Sequence, residues 1–232
     1  TVGIRRLYSN IKMEPRGNKK VWVYENLKRR IISVDLVPGF PIIEADFAEE
    51  LGVSKTPIRE ALRQLERDGF VINVPSRGSM ITHITSQEIH DVFQIREIIE
   101  AGAAKRSAQQ GGSPEIAKLR EENDRILKDI DSAEKYVNEW GDWEDIHQLI
   151  VRSLGNGGLV EVYQGLLDRI HRIRNFYGTR LSRRRYHDII VEHNHIAEAI
   201  MNGDGNQAEQ LMLEHLHNAS QFLMGVSMPS GR

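Results

Sequence analysis

The chain carries 9 histidines and no cysteine. Without thiols there is no disulfide framework, thiolate zinc site, iron–sulfur cluster or cysteine nucleophile, so any metal must rest on His, Asp or Glu. Helical phase sorts the histidines. His147 shares its face with Ile150, Val151 and Leu154, His193 with Ile189, Ile196, Ala197 and Ile200, and His215 with Leu211, Met212, Ala219 and Phe222. His195 and His217 stand two residues further on, about 200° around their helices, on the polar side. Three inward imidazoles from three helices can bind zinc, nickel or a similar divalent ion, with positions left open for water or ligand. The same pattern also fits three unrelated core histidines, each bonded to a carbonyl.

Arg96 lies on an inward face with Val92, Ile99 and Ala103, a place a guanidinium tolerates only when paired. Glu100, one turn later, is a local partner. The alternative is that Arg96, together with Arg174 among Leu167, Ile170 and Tyr177, binds the carboxylate of an organic-acid effector.

Polar and basic residues of another kind, Ser54, Lys55, Thr56, Arg59 and Arg63, crowd the first two turns of a helix that has Pro57 near its start. Hydroxyls and helix N-terminal amides suit phosphate oxygens, and an Arg at a base edge can pair bidentately with guanine. Ala48, Val53, Ile58, Leu62 and Leu65 form the apolar side behind them. A short helix from Glu44 to Leu51, the turn at Gly52 and this second helix have the layout of a helix-turn-helix. A solvated basic helix beside an ordinary turn would show the same spacing.

The elements that must position these groups can be read from period and punctuation. From Lys19 to Val34 the residues Val23, Leu27, Ile31 and Ile32 recur at helical spacing until Pro38-Gly39 breaks the chain. Ser54 is the expected N-cap of the basic helix, which runs to about Asp68 and stops at Gly69. Phe70 to Val74 and Ser79 to Ile84 are β-rich runs around Pro75-Ser76-Arg77-Gly78, a hairpin whose tip, Arg77 and Gly78, would serve as a wing on DNA. After Thr85 the texture is helical. Ser86 is the expected cap of a helix through Gln109, and Ser113-Pro114 opens the next. Further breaks fall near Gly141, at Gly155 to Gly158, near Thr179 to Ser182 and at Asn202 to Gly205, with Asn156 shaping its turn. About six helices of this length suit an antiparallel bundle.

The fold is therefore expected to be mainly α, an N-terminal winged helix-turn-helix with a small hairpin wing followed by an all-α antiparallel bundle. Residues 1–18 read as a basic, mobile arm, 19–85 as the winged helix, 86–226 as an effector-binding and dimerisation domain, and 227–232 as a tail. The 232 residues, 40% apolar and 28% charged, suit two soluble domains. No apolar run approaches the roughly 18–20 residues that cross a bilayer and no signal peptide opens the chain, so a cytoplasmic protein without a membrane partner is expected. The net charge of −2 conceals an asymmetry: residues 1–85 hold 14 Lys and Arg against 10 Asp and Glu, the remainder 17 against 23. A basic module ahead of an acidic one points to nucleic acid at one end.

The run Leu51-Gly-Val-Ser-Lys-Thr-Pro-Ile-Arg-Glu-Ala-Leu-Arg-Gln-Leu-Glu-Arg-Asp-Gly-Phe-Val71, followed by Pro75-Ser-Arg-Gly78, closely resembles the winged helix of the GntR family of bacterial transcription regulators. The second half resembles the FadR-type, or FCD, effector domain in Val92-Phe-Gln-Ile-Arg-Glu-Ile-Ile-Glu100, in His147 with Asn156 nine residues on, and in Glu192-His-Asn-His-Ile196 leading to His215-Leu216. The resemblance covers roughly Lys19 to Gly225. It implies a homodimer on a pseudo-palindromic operator of double-stranded DNA, a repressor or activator released or redirected by a small metabolite, and hence a nucleoid-associated bacterial protein. Lys55 stands where the family often has Arg, so a point charge replaces a bidentate fork there.

Metal-binding FCD domains place ligands at the positions of His147, His193 and His215. They usually add an Asp one turn before the first His, where this chain has Trp143. Asp142 and Asp145 are out of phase, so either a distorted helix start brings Asp142 round as a fourth ligand or three histidines hold the metal alone. The remaining option is a metal-free pocket in which Trp143 narrows the cavity or stacks on a flat effector. The expected function is a homodimeric repressor of a metabolic operon, responsive to a small carboxylate. A metal-dependent enzyme with an accessory winged helix is the alternative from another class, but its activating carboxylate is missing, since no Asp or Glu is in phase with the three histidines.

Overall fold

The computed structural model describes residues 18–128, 146–178 and 181–227. The expected N-terminal arm up to residue 17, most of the tail, the break near Gly141, and Asp142, Trp143 and Asp145 lie outside the described residues. The chain forms two compact units, one comprising Thr1–Ile84 with Arg169–Phe176, the other Thr85–Asp168 with Tyr177–Arg232.

In the first unit, α1 (Lys19–Ile32) is capped by the Asn18 side chain, which accepts from the Lys20 amide, and it buries Val23, Leu27 and Ile31. α2 (Glu44–Glu50) ends where Gly52 takes φ +63°. There the Gly52 amide donates to the Glu49 carbonyl and the Val53 amide to the Ala48 carbonyl, a Schellman closure whose left-handed residue is best supplied by glycine. α3 (Lys55–Arg67) buries Ile58, Ala61, Leu62 and Leu65. Ser54 occupies its N-cap position in extended conformation, but the hydroxyl makes no capping bond.

The sheet is larger than the expected hairpin. β2 (Val71–Val74) pairs with β3 (Gly78–Ile81), and β1 (Pro41–Ile42) adds to the other side of β3, giving the antiparallel order β1-β3-β2. Two residues are too few to show a period of two, which hid β1 from the sequence. Pro41 lacks an N–H and suits an edge strand. The wing turn closes by the Arg77 amide donating to the Val74 carbonyl at 3.0 Å, with Pro75 first of the two central residues and Ser76 at φ +65°, a type II pattern. The core of the unit joins all these elements through Leu27, Ile42, Phe47, Leu65, Val71 and Ile81. Residues 169–176 are tied into it. Arg169 donates to the Asp68 carbonyl, Asn175 to the Ile32 carbonyl, and the buried Arg172 to both the hydroxyl and carbonyl of Thr82.

The second unit is helical among its described residues. It comprises α4 (Ser86–Arg96), a π-turn (Glu97–Ala101), α5 (Gly102–Gln109), α6 (Pro114–Lys128), α7 (Ile146–Ser153), the first part of α8 (Gly157–Tyr177), α9 (Arg183–Met201) and α10 (Gly205–Ser227). α10 packs on α4, the π-turn, α5 and α9, while α6 and α5 meet both α7 and α9. Two expectations need correction. Thr85, not Ser86, caps α4, because its hydroxyl accepts from the amide of Glu88 three residues on. The single helix expected from Ser86 to Gln109 widens at Glu97–Ala101, a one-turn change that average periodicity cannot reveal and that accompanies functional sites elsewhere. Asn156 does shape its turn, its side chain accepting from the Leu159 amide at 3.1 Å.

Candidate metal centre and nucleic-acid interface

His147 on α7, His193 on α9 and His215 on α10 come together in the second unit. Each offers one ring nitrogen, and these atoms lie within 4.8 Å of one another. His147 and His215 are buried and His193 is half-buried, whereas His195 and His217 are exposed, the partition that helical phase gave. His193 Nε2 and His215 Nε2 are 3.3 Å apart. A tetrahedral ion with Zn–N bonds of about 2.0–2.1 Å sets its ligands roughly 3.3–3.4 Å apart, so this pair is already spaced for one.

Two carboxylates lie against the rings. His215 Nδ1 is 2.6 Å from Glu192 Oε2, and His147 Nδ1 is 2.7 Å from Glu100 Oε2. Burial pushes the Glu192 carboxyl up, but its bonds to His215 and Arg185 outweigh that and hold it at about 2. An ionised carboxylate only accepts, so Nδ1 of His215 carries the proton. Burial, only partly offset by Glu192, lowers His215 to about 4, leaving a neutral ring with its Nε2 lone pair turned toward His193. A carboxylate on the far nitrogen of a metal-binding histidine, as Glu192 is on His215, fixes tautomer and orientation in the same manner. The donor set therefore fits a divalent transition metal.

Glu100 is the hub of this arrangement. It is fully buried, takes Arg96 Nε at 2.7 Å and Nη2 at 3.2 Å, and accepts from the Tyr163 hydroxyl at 2.7 Å. Burial raises its carboxyl, yet Arg96 and then His147 more than compensate and hold it at about 2. Glu192 is fixed in turn by Arg185 at 2.8 Å and by Asn218 at 3.0 Å. Beside His193, Asn194 accepts from buried Asn123 and donates to Asp124.

Both acids lie outside the helical phase of the histidine they attend. Phase compares residues on one helix face, whereas Glu100 reaches His147 across helices and Glu192 serves His215 rather than its neighbour His193. The available signal was an inward acid one turn after an inward Arg, and an acid directly preceding His193. Arg96 is buried with Glu100 as its partner, so an effector carboxylate would have to compete with that pair. Arg174 is half-buried in segment 169–176, which belongs to the first unit.

On α3, Ser54, Lys55, Thr56, Arg59 and Arg63 are exposed, as are Arg77 and Gly78 at the wing, with Pro57 half-buried. Ile58, Leu62 and Leu65 anchor the opposite face. The Ser54 hydroxyl, unused as a cap, is available to phosphate. A basic helix exposed at its N-terminal end, set on a rigid turn and followed by a basic wing, is the architecture of a winged-helix DNA-binding protein.

The comparisons agree. The family described as bacterial regulatory proteins, gntR family, matches residues 19–81, and the FCD domain matches residues 91–218. The chain belongs to the GntR family of DNA-binding transcriptional regulators, with an FCD domain as its second half. It is 28% identical over 205 residues to the HTH-type transcriptional regulator YdhC of Bacillus subtilis, covering 88% of this chain and 90% of that one. It is 24% identical to the HTH-type transcriptional repressor RspR of Escherichia coli, covering 88% of each. The fold is shared with the crystal structure of a GntR transcriptional regulator from Rhodococcus sp. RHA1, at TM-score 0.71, 20% identity and coverage of 92% of this chain and 99% of that one. Both domains are those of regulators, not enzymes. Among the described residues no helix is long and apolar enough to cross a membrane.

Proposed function

We propose that the chain is a homodimeric repressor of a metabolic operon whose affinity for a pseudo-palindromic operator is changed by a small carboxylate bound in its helical domain. In this reading His147, His193 and His215 hold zinc or nickel, Glu100 and Glu192 hold the rings, and Arg96 assists the effector. When bound, the ion supplies a Lewis-acid anchor for a carboxylate oxygen. Ser54, Lys55, Thr56, Pro57, Arg63, Arg77 and Gly78 contact the DNA backbone, and Arg59 reads a base. The observation that carries the reading is the convergence of three ring nitrogens within 4.8 Å, two of the rings backed by carboxylates.

Pairing of two copies is supported by apolar surface on the helical unit, where Ile98 is 80% and Val162 65% exposed. The effector must prefer one arrangement of the dimer, since equal affinity for both would shift nothing. The test is to titrate zinc-loaded and nickel-loaded protein with a panel of small organic acids while following both thermal midpoint and affinity for a selected duplex. The reading expects at least one acid to raise the midpoint and change duplex affinity in wild type and to do neither in His193→Ala. Acids that act equally on both proteins, or on neither, would contradict it.

A further inference from the structure

Arg59 is held differently from the other cations presented to DNA. Its Nε donates to Glu44 Oε2 at 2.7 Å, and Glu44 opens α2, the helix before the turn. Lys55 and Arg63 on the same helix, and Arg77 on the wing, have no side-chain partner among the described residues. Arg59 itself has no second one, so both Nη groups remain uncommitted. The pair is exposed, 58% for Arg59 and 34% for Glu44, and contributes little to stability in that setting.

A carboxylate beside a DNA-facing cation weakens attraction to phosphates, so it is unfavourable for affinity alone. Its benefit is orientation. A free Arg side chain carries rotamer entropy that docking must remove. Fixing Nε on Glu44 removes part of it beforehand and leaves Nη1 and Nη2, a donor pair able to meet guanine O6 and N7. We infer that Glu44 is a positioning residue for base reading, holding Arg59 for a bidentate contact with guanine at the expense of non-specific affinity. The inference rests on the reading of α3 as the helix in the major groove, with Arg59 on a base. The unpaired Lys55, Arg63 and Arg77 are left to the backbone, where a mobile cation suffices.

The experiment uses the full chain. Duplexes are selected from a random-sequence library with wild type, and affinities for a panel of single base-pair substitutions are then measured at fixed salt. The proteins compared are wild type, Glu44→Ala, Glu44→Gln, Arg59→Ala and the Glu44→Ala/Arg59→Ala double variant, each with a thermal midpoint recorded to show that it is folded. Arg59→Ala is expected to lose about tenfold preference at one symmetric G·C position. Glu44→Ala should flatten the same position while binding random duplex at least as tightly as wild type. Glu44→Gln, which keeps a neutral acceptor, should recover part of the preference, and the double variant should lose no more than Arg59→Ala. If Glu44→Ala keeps the preference that Arg59→Ala loses, the role of Glu44 is overturned while the reading of α3 stands. If Arg59→Ala keeps every preference, the reading of α3 itself fails and the role of Glu44 with it.

Discussion

The basic face of α3 and the histidine cluster are both built from polar side chains, but they treat charge in opposite ways. On α3 the cations stay in water, and one of them, Arg59, has a carboxylate partner. Around the histidines Arg96 and Glu100 are buried and matched to each other, while Glu192 is fixed by Arg185, His215 and Asn218. Under the proposed function, the difference follows from the ligands. A polyanion is captured by exposed charges that displace its counterions, so prior desolvation gains little. A single ion or small acid is captured by a few donors whose orientation must be settled before it arrives, which requires burial and a supporting shell.

The largest expected effect is on the buried side. Glu100→Ala leaves Arg96 buried without its main partner and should cost roughly 3–5 kcal/mol of stability in urea unfolding. Arg59→Ala, at the exposed site, should stay within about 0.5 kcal/mol of wild type. Equal losses in the two variants would remove the distinction. A smaller effect sharpens it at the backbone: Gly52→Ala forces a side chain into φ +63° and should destabilise by about 1–2 kcal/mol. Metal binding by the second unit, measured by zinc titration, should be unchanged in that variant. Smallest of all, Arg77→Ala should weaken duplex binding nearly uniformly across sequences and reduce the slope of log affinity against log salt by about 1. A sequence-selective loss would instead make the wing a base reader.

The faces of both sites were legible in the sequence, and the partners that support them were not. The inward phase of His147, His193 and His215 follows from spacing, because each helix is long enough to define a buried face. The inner face of α3 was legible for the same reason, with Ile58, Leu62 and Leu65 setting it. What spacing could not show was who meets whom between helices. Glu100 and Glu192 became partners of His147 and His215 only once the helices packed, and the same holds for Glu44 with Arg59 across the turn. β1 was too short to carry a pattern, and the π-turn at Glu97–Ala101 alters one turn of a helix that otherwise keeps its phase. Local geometry was encoded in punctuation, as at Gly52 and Asn156, whereas the supporting shell of each site is a product of tertiary packing.

We propose that the histidine cluster is a metal centre held in readiness by its carboxylates. The most direct measurement is transition-metal content per chain in protein purified without chelator or His tag, comparing wild type with His193→Ala. About one zinc or nickel ion per chain in wild type, absent from a folded His193→Ala, is the predicted result. A folded wild-type protein that holds no metal and cannot be reconstituted with either ion would contradict it.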